Sequence, residues 1–406
     1  MKYILVIGDG MADNKVPELE NKTPLERAQK ATIDALSKKS QLGSVLTVPE
    51  GLPPGSDTAI LSIFGYCPKK YYTGRAPLEA SGCGVKLADG DTAYRVNMVA
   101  LSDGNMPFAE KTMLSHSGGS VEGEESIQLM EYLESSKDFV ALCEKLAVRF
   151  YKNPSFRHIG VQKNAVIKGL VTTPPHDILS EKIGTYLPKG TADATGLLEL
   201  MELANALLKD HPCNKKRKDE GKLPANGIWF WAEGTVAALP DFKEKTGKSG
   251  AVISAVPLVF GIGNLAGLTP VTVDGATGEL DTNYEGKAAA ALEALKTYDF
   301  VCVHVEAPDE CTHCGDLEGK LTAIENLSER VIKPLVDGMK EPFRLLLLSD
   351  HKTLTSTRTH DGGPVPYLLF DSEIDGGSCL PYNEETAKSG QYFGDGTHII
   401  EQLFLR

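Results

Sequence analysis

The chain has no run of apolar residues approaching the ~18 that a membrane-spanning helix needs, so nothing in it reads as a membrane segment. Its first apolar stretch, Met1 to Ile7, is cut short by Gly8-Asp9-Gly10 and reads as a buried strand rather than a leader. Positive charge is also in deficit: 42 Lys and Arg stand against 55 Asp and Glu, a net charge of −13. Broad nucleic-acid binding needs clustered cations to displace counterions, and this balance excludes it. The one basic knot, Lys215-Lys216-Arg217, reads as a solvated helix end. The eight cysteines lack a framework spacing, and several lie in apolar stretches (Cys302, for example), so they read as reduced thiols of a cytoplasmic protein. There is no low-complexity tract and no internal repeat.

What remains is an ordinary globular composition. Apolar residues make up 41% and charged residues 24% of 406 residues, enough for two or three domains at roughly 150 residues each. Strand 3–7 leads into the Gly8-Asp9-Gly10 turn. Thr23-Pro24-Leu25-Glu26 opens a helix with a capping box, continued by Ile33 and Leu36. A strand at 45–48 precedes the forced turn Gly51-Leu52-Pro53-Pro54-Gly55 and a helix over 58–63. Later come strands at 251–254, 300–305 and 345–348, with helices at 287–295 and 324–336 between them. Continuous apolar strands separated by helices predict an α/β fold with a mostly parallel sheet flanked by helices. Residues 94–238 alternate less regularly and carry more charge. They are expected to form a smaller inserted α+β domain, with 1–93 and 239–406 making one discontinuous domain.

Acidic and imidazole residues recur just after the apolar strands. Asp9 follows the first, Asp309 and His313 follow 300–305, Asp350 and His351 follow 345–348, and His360 lies in the next loop. In open α/β sheets ligands bind beyond the carboxyl ends of the strands, so these loops could converge. Carboxylates with imidazoles suit Mn, Mg, Co or Zn, and two such ions could clamp an in-line phosphoryl displacement. Ser56, after a rigid Pro-Pro-Gly turn, is the candidate nucleophile. The alternative is that it merely caps a helix. Cys311-Thr312-His313-Cys314 is the rival motif, for structural zinc or redox chemistry, but no second cysteine pair stands at useful spacing.

Several segments together resemble the archaeal-type, cofactor-independent phosphoglycerate mutases of the alkaline phosphatase superfamily. They are Ile7-Gly8-Asp9-Gly10-Met11-Ala12-Asp13, Pro53-Pro54-Gly55-Ser56-Asp57, Tyr72-Thr73-Gly74-Arg75-Ala76-Pro77-Leu78-Glu79-Ala80, Pro224-Ala225-Asn226, His304-Val305-Glu306-Ala307-Pro308-Asp309-Glu310 and Ser349-Asp350-His351. The resemblance runs nearly end to end. It implies interconversion of 3-phosphoglycerate and 2-phosphoglycerate through a phosphoserine at Ser56, without 2,3-bisphosphoglycerate. It implies one divalent metal held by Asp9, Ser56, Asp350 and His351, and a second held by Asp309, His313 and His360. Lys248 resembles a lysine that neutralises the phosphoryl group. The substrate, a small phosphorylated three-carbon acid, would be gripped by the inserted domain, for which Arg157, His158, His176, Asp177 and Arg217 are the candidates.

The chain departs from the family pattern at His116-Ser117-Gly118-Gly119-Ser120-Val121, where Ser120 stands in the place of a histidine; His116 is the available substitute. A phosphotransferase acting on homoserine, or a phosphatase on the same core, is the alternative reading. A metal-binding scaffold without catalysis is a third.

Overall fold

The structure is a computed structural model and describes residues 1–374 and 377–405. The chain divides into two compact units, one made of 1–72 with 238–406 and the other of 73–237.

The first unit is built on an eight-stranded sheet. Its strands lie in the order Gln391–Phe393, Gln41–Val45, Val365–Asp371, Phe343–Leu348, Lys2–Gly8, Phe300–Val305, Gly250–Ile253 and Thr269–Val271. The five from Phe343–Leu348 to Thr269–Val271 run parallel. Only Val365–Asp371 opposes its neighbours, Phe343–Leu348 and Gln41–Val45. The central strands are buried on both faces, which is why they read as unbroken apolar runs. Ile4, Val6, Val301, Val303, Leu345 and Leu347 all enter one core cluster with Ala288, Ala291, Ile324, Leu327 and Val331 from the helical segments. This alternation is the period-2 signature of strands against a helical layer.

Local sequence logic holds at several ends. Thr23 Oγ1 accepts from Glu26 N at 3.2 Å and Glu26 Oε2 accepts from Thr23 N at 2.8 Å, closing the expected capping box. That helix is nonetheless only Pro24–Arg27, and the chain restarts as Ala31–Ser37 because Ala28 and Lys30 leave the helical region. The strand expected over 45–48 ends at Val45, and Thr47 instead donates its hydroxyl to the Asp350 carbonyl. Among the described residues no helix is long and apolar enough to cross a membrane.

The second unit begins at Thr73, not Tyr94. Tyr94 lies inside an eleven-residue buried strand, Asp91–Leu101. The preceding helix, Arg75–Gly82, packs Ala76 and Ala80 against Ala93, Ile159 and Val161 of the same unit. Gly74 has φ 146°, and a Cβ there would lie 2.1 Å from the Glu233 carbonyl, so the turn into this helix requires glycine. Asp91–Leu101 pairs antiparallel with Arg157–Lys163 and with Gly227–Thr235. The helices Gly123–Ser135 and Ala192–Leu208 contribute Leu129, Met130, Leu133, Leu197, Leu200 and Met201 to its core.

One buried ion pair braces the loops that follow the first unit's central strands. Lys320 Nζ donates to Asp13 Oδ2 at 2.9 Å and to the Thr353 carbonyl at 2.7 Å, with both charged side chains sealed from solvent. Burial pulls the Lys320 ammonium below its usual pKa and Asp13 opposes that shift. Removing one partner of such a pair strands the other. Lys320→Met is therefore expected to destabilise the protein by about 3 kcal/mol in chemical denaturation; a loss below ~1 kcal/mol would contradict this role.

Candidate metal centre

Four loops of the first unit meet at the carboxyl ends of its parallel strands. Asp9 follows Lys2–Gly8, and its amide donates to the Val305 carbonyl at 2.9 Å. Asp309 and His313 lie on the short helix Ala307–His313 that follows Phe300–Val305. Asp350 and His351 follow Phe343–Leu348, and His360 sits opposite Thr353 in a two-stranded hairpin. Ser56 is the first residue of the helix Ser56–Ile63. Gly55 occupies the capping position, and Ser56 makes no capping bond. Its Oγ is instead 3.3 Å from Asp9 Oδ2 and 3.2 Å from His351 Nε2.

The ligand atoms form two overlapping groups. Those of Asp9, Asp350 and His351 lie within 4.8 Å of one another, as do those of Asp309, His351 and His360. His313 Nε2 joins the second group, 3.1 Å from Asp309 Oδ2 and 2.9 Å from His360 Nε2. All seven residues singled out in the sequence as ligands are thus brought together, with His351 at the junction. Cys311 and Cys314 flank His313 but contribute no atom to either group.

The hydrogen bonds around these residues leave one atom of each directed inward. His313 Nδ1 is 2.9 Å from the Arg358 carbonyl, His351 Nδ1 is 3.3 Å from that of Lys352, and His360 Nδ1 is 3.3 Å from that of Pro54. A carbonyl only accepts, so each imidazole carries a proton on Nδ1 and turns Nε2 toward the cluster, where loss of any proton on that atom makes it a metal donor. Two bare Nε2 atoms 2.9 Å apart repel unless a cation or proton lies between them. The carboxylates behave likewise. Asp350 Oδ1 accepts from Gly10 N and His351 N, whereas its buried Oδ2 has no hydrogen-bond partner. Asp9 Oδ2 is engaged, whereas buried Oδ1 has none. Burial, then the nearby Asp350 and Asp309 carboxylates, raise the Asp9 pKa well above its usual value. Burial also works against ionisation of Asp309, but hydrogen bonds from His313 and His360 overcome it and hold that carboxyl well below the ordinary range. Its partner His313 is raised to about 9, chiefly by its bond to Asp309. Orphaned carboxylate oxygens and converging imidazole nitrogens are the donor set a hard or borderline divalent cation takes.

His304, which sequence reasoning passed over as a site residue, also reaches this centre. It is fully buried, with Nε2 3.0 Å from Asp9 Oδ2 and Nδ1 3.2 Å from Ser254 Oγ. Its signal was visible as a histidine inside an otherwise apolar strand.

Lys248 is a correction. It precedes the strand Gly250–Ile253, with Nζ 5.1 Å from the centre of the Tyr3 ring. Tyr3 lies at the amino end of Lys2–Gly8, a strand of seven residues, and at ~3.3 Å per residue that end is roughly 20 Å from the Asp9 end. Lys248 therefore cannot neutralise a phosphoryl group at Ser56.

The five candidates in the second unit separate into two kinds. Arg217 is buried and uses four of its five N–H donors, to Glu125 Oε2 and to the carbonyls of Gly118, Gly119 and Leu223. His158 is fully buried, its Nδ1 accepting from Asn153 N and its Nε2 bonded to Ser126 Oγ, and burial lowers its pKa to about 4. Both hold the unit together and are withdrawn as substrate contacts. Arg157, His176 and Asp177 belong to a more open neighbourhood that also contains Arg75, Glu79, Arg95, His116 and Trp231. His116 and His176 have ring centres 6.1 Å apart, and His176 is 5.2 Å from Trp231, over which the Arg95 guanidinium lies at 4.3 Å. Asp177 Oδ1 is 3.6 Å from His176 Nε2 and largely exposed. Burial lowers both histidines, assisted by Arg157 and Arg95 at His116 and by His116, Arg95 and Arg75 at His176, where Asp177 pulls the other way. Burial alone would raise Glu79, but Arg95 and Arg75 hold it below the usual carboxylate range. Ser120 has φ 57° and its amide is bonded to Ser117 Oγ, so it completes a turn. The arginines were present in the motif Thr73-Gly74-Arg75 and the strand at 91–101, but one buried in a strand gives no local sign that it faces other cations.

A family model described as 2,3-bisphosphoglycerate-independent phosphoglycerate mutase matches residues 37–214. A probable enzyme of that description from Geobacter sulfurreducens is 44% identical over 410 residues, covering 100% of both chains. One from Methanosarcina acetivorans is 44% identical over 394 residues, 96% of each chain. Among solved structures, a Pyrococcus horikoshii protein has a TM-score of 0.80 at 29% identity, over 100% of this chain and 97% of its own. The cofactor-independent phosphoglycerate mutase of Thermoplasma acidophilum shares the fold, with a TM-score of 0.62 at 24% identity over 100% of this chain and 99% of its own. With identity of this level along its whole length, the chain belongs to the family of 2,3-bisphosphoglycerate-independent phosphoglycerate mutases.

Proposed function

We propose that this protein interconverts 3-phosphoglycerate and 2-phosphoglycerate through a phosphoserine at Ser56, with two divalent cations held by Asp9, Ser56, Asp350, His351 and by Asp309, His313, His360. The observation that carries the reading is a convergence of donor atoms: Asp9 Oδ1 and Asp350 Oδ2, buried without a hydrogen-bond partner, and the Nε2 atoms of three histidines whose Nδ1 atoms face carbonyls, beside a serine hydroxyl that makes no capping bond. Bound there, the cations would offset the charge of the transferring phosphoryl group and lower the cost of deprotonating the Ser56 hydroxyl.

The rest is the work of the chain's own side chains. The Gly55–Ser56 turn presents Oγ at the start of a helix, where backbone amides and the helix dipole favour a phosphoryl group. In the first half-reaction the Ser56 Oγ–P bond forms as the substrate's C3 oxygen–P bond breaks, and the serine proton ends on the departing glycerate oxygen. In the second, the C2 hydroxyl of the same glycerate takes the phosphoryl group and its proton returns to Ser56. The second unit's arginine and histidine cluster, centred on Arg75, Arg95, Arg157, His116 and His176, suits recognition of an anionic substrate group, since a guanidinium fork matches a carboxylate through two hydrogen bonds. His116 and His176 are the histidines of that neighbourhood, and Ser120 supplies none.

Phosphorus NMR with 3-phosphoglycerate and Mn, Co, Mg or Zn should show 2-phosphoglycerate appearing without added nucleotide. A strict nucleotide requirement would instead favour a kinase. Ser56→Ala is expected to cut turnover by roughly a thousandfold or more while leaving the melting temperature nearly unchanged; substantial residual mutase activity would refute the covalent step. Metal analysis supplies a separate check. Asp309→Ala should retain one of two cations, whereas His351→Ala, at the junction of both groups, should weaken both. Unchanged stoichiometry in each would contradict the assignment.

A further inference from the structure

Three neighbouring parallel strands each deliver one polar side chain near their carboxyl ends. Ser254 follows Gly250–Ile253, His304 lies near the end of Phe300–Val305, and Asp9 follows Lys2–Gly8. The register sets Val303 opposite Ile253, which brings Ser254 level with His304, and His304 opposite Ile7, so that Asp9 lies two positions further along its own strand's exit. All three are buried. Val256 N donates to Ser254 Oγ at 3.0 Å, Ser254 Oγ lies 3.2 Å from His304 Nδ1, and His304 Nε2 lies 3.0 Å from Asp9 Oδ2.

The end of this chain fixes its direction. A carboxylate oxygen at 3.0 Å demands a proton on Nε2, because two lone pairs at that distance repel. Nδ1 is then the acceptor, and the Ser254 hydroxyl, whose own acceptor side is occupied by Val256 N, donates to it. His304 thus differs from His313, His351 and His360 at Nδ1: there it accepts from a hydroxyl, whereas theirs donate to carbonyls and leave Nε2 able to give up a proton to a cation. With Nδ1 held as an acceptor, His304 must keep its one proton on Nε2 and cannot offer that atom to a cation.

We infer that His304, oriented by Ser254, is a positioning residue that locks the rotation of the Asp9 carboxylate, occupying Oδ2 so that Oδ1 is the oxygen presented to a divalent cation. This rests on the two-metal reading above. Without the Nε2–H contact, the Asp9 carboxylate is free to turn about its terminal torsion, and Oδ1 and Oδ2 exchange roles. Hydrogen-bond partners behind metal-ligating groups typically contribute 10–100-fold in affinity.

The test is a cobalt titration of the metal-free full-length protein, followed by calorimetry and visible absorption. It compares the wild type with His304→Leu, His304→Gln and Ser254→Ala. His304→Leu is expected to weaken one of two cobalt sites by ~10–100-fold and to alter its absorption band, leaving the other site as in the wild type. His304→Gln, whose amide can offer an N–H to Asp9, should recover most of the loss, and Ser254→Ala should weaken the same site in the same direction. Wild-type affinities and spectrum in folded His304→Leu would overturn the proposal, as would a glutamine variant no better than leucine. If His304→Leu fails to fold, Ser254→Ala decides, since it removes one buried hydroxyl, and an unchanged titration there overturns it too. A wild type that takes up no cobalt would instead remove the metal reading itself, and this inference with it.

Discussion

Three carboxylates and the imidazole of His351 are buried at one end of an apolar sheet, with His313 and His360 at its more open rim, and the rest of the first unit is arranged around that cost. Isolated charges in such a place are expensive, and like charges more so. The fold meets the cost by committing one side of each ligand to the protein. Gly10 N and His351 N hold Asp350 Oδ1, the Thr353 hydroxyl holds Asp309 Oδ1, and backbone carbonyls hold three imidazole Nδ1 atoms. Each remaining atom then points one way. The buried Lys320–Asp13 pair ties the loops after two of these strands to a single helix, so the ligand geometry and the stability of the unit share contacts.

The position of the centre follows from strand direction. Because Lys2–Gly8, Phe300–Val305 and Phe343–Leu348 run parallel and adjacent, the residues that follow them emerge on one edge. A short helix and a two-stranded hairpin then fold His313 and His360 back over that edge. The same geometry separates Lys248 from the centre: a residue that precedes a parallel strand lies at the opposite end of the sheet from one that follows it. The second unit has a different plan. One long antiparallel strand carries Arg95 and Asn97, with Arg157 and Trp231 on its two neighbours, so cations and rings gather on a sheet surface rather than at strand ends. Arg217 and His158 lie in the same unit, but their hydrogen bonds are turned inward and they act as struts.

Much of the first unit was legible because its signals are local. Unbroken apolar runs mark strands buried on both faces, Thr23 to Glu26 spells a capping box, and an acidic residue just after such a run marks the functional edge of an α/β sheet. The candidate ligands could be named for this reason, although the place of His351 in two groups could not. The boundary at Thr73 was missed because nothing in the composition changes there; only the packing of Ala76 and Ala80 on strands of the inserted unit assigns that helix to it. His304 was missed as a site residue because a histidine in an apolar strand looks the same whether it fills space or grips a carboxylate.

By itself the sequence determined the family, the α/β class, the central parallel strands with the helices between them, and the residue types at the centre, because each is written in contiguous stretches of chain. Tertiary structure alone decided which atom of each ligand faces inward, which arginine is a strut and which belongs to an open cationic cluster, and which lysine lies at the wrong end of the sheet. Those outcomes depend on hydrogen bonds between residues separated by as many as 340 positions. A bond of that span is set by strand register and direction, which no local pattern encodes.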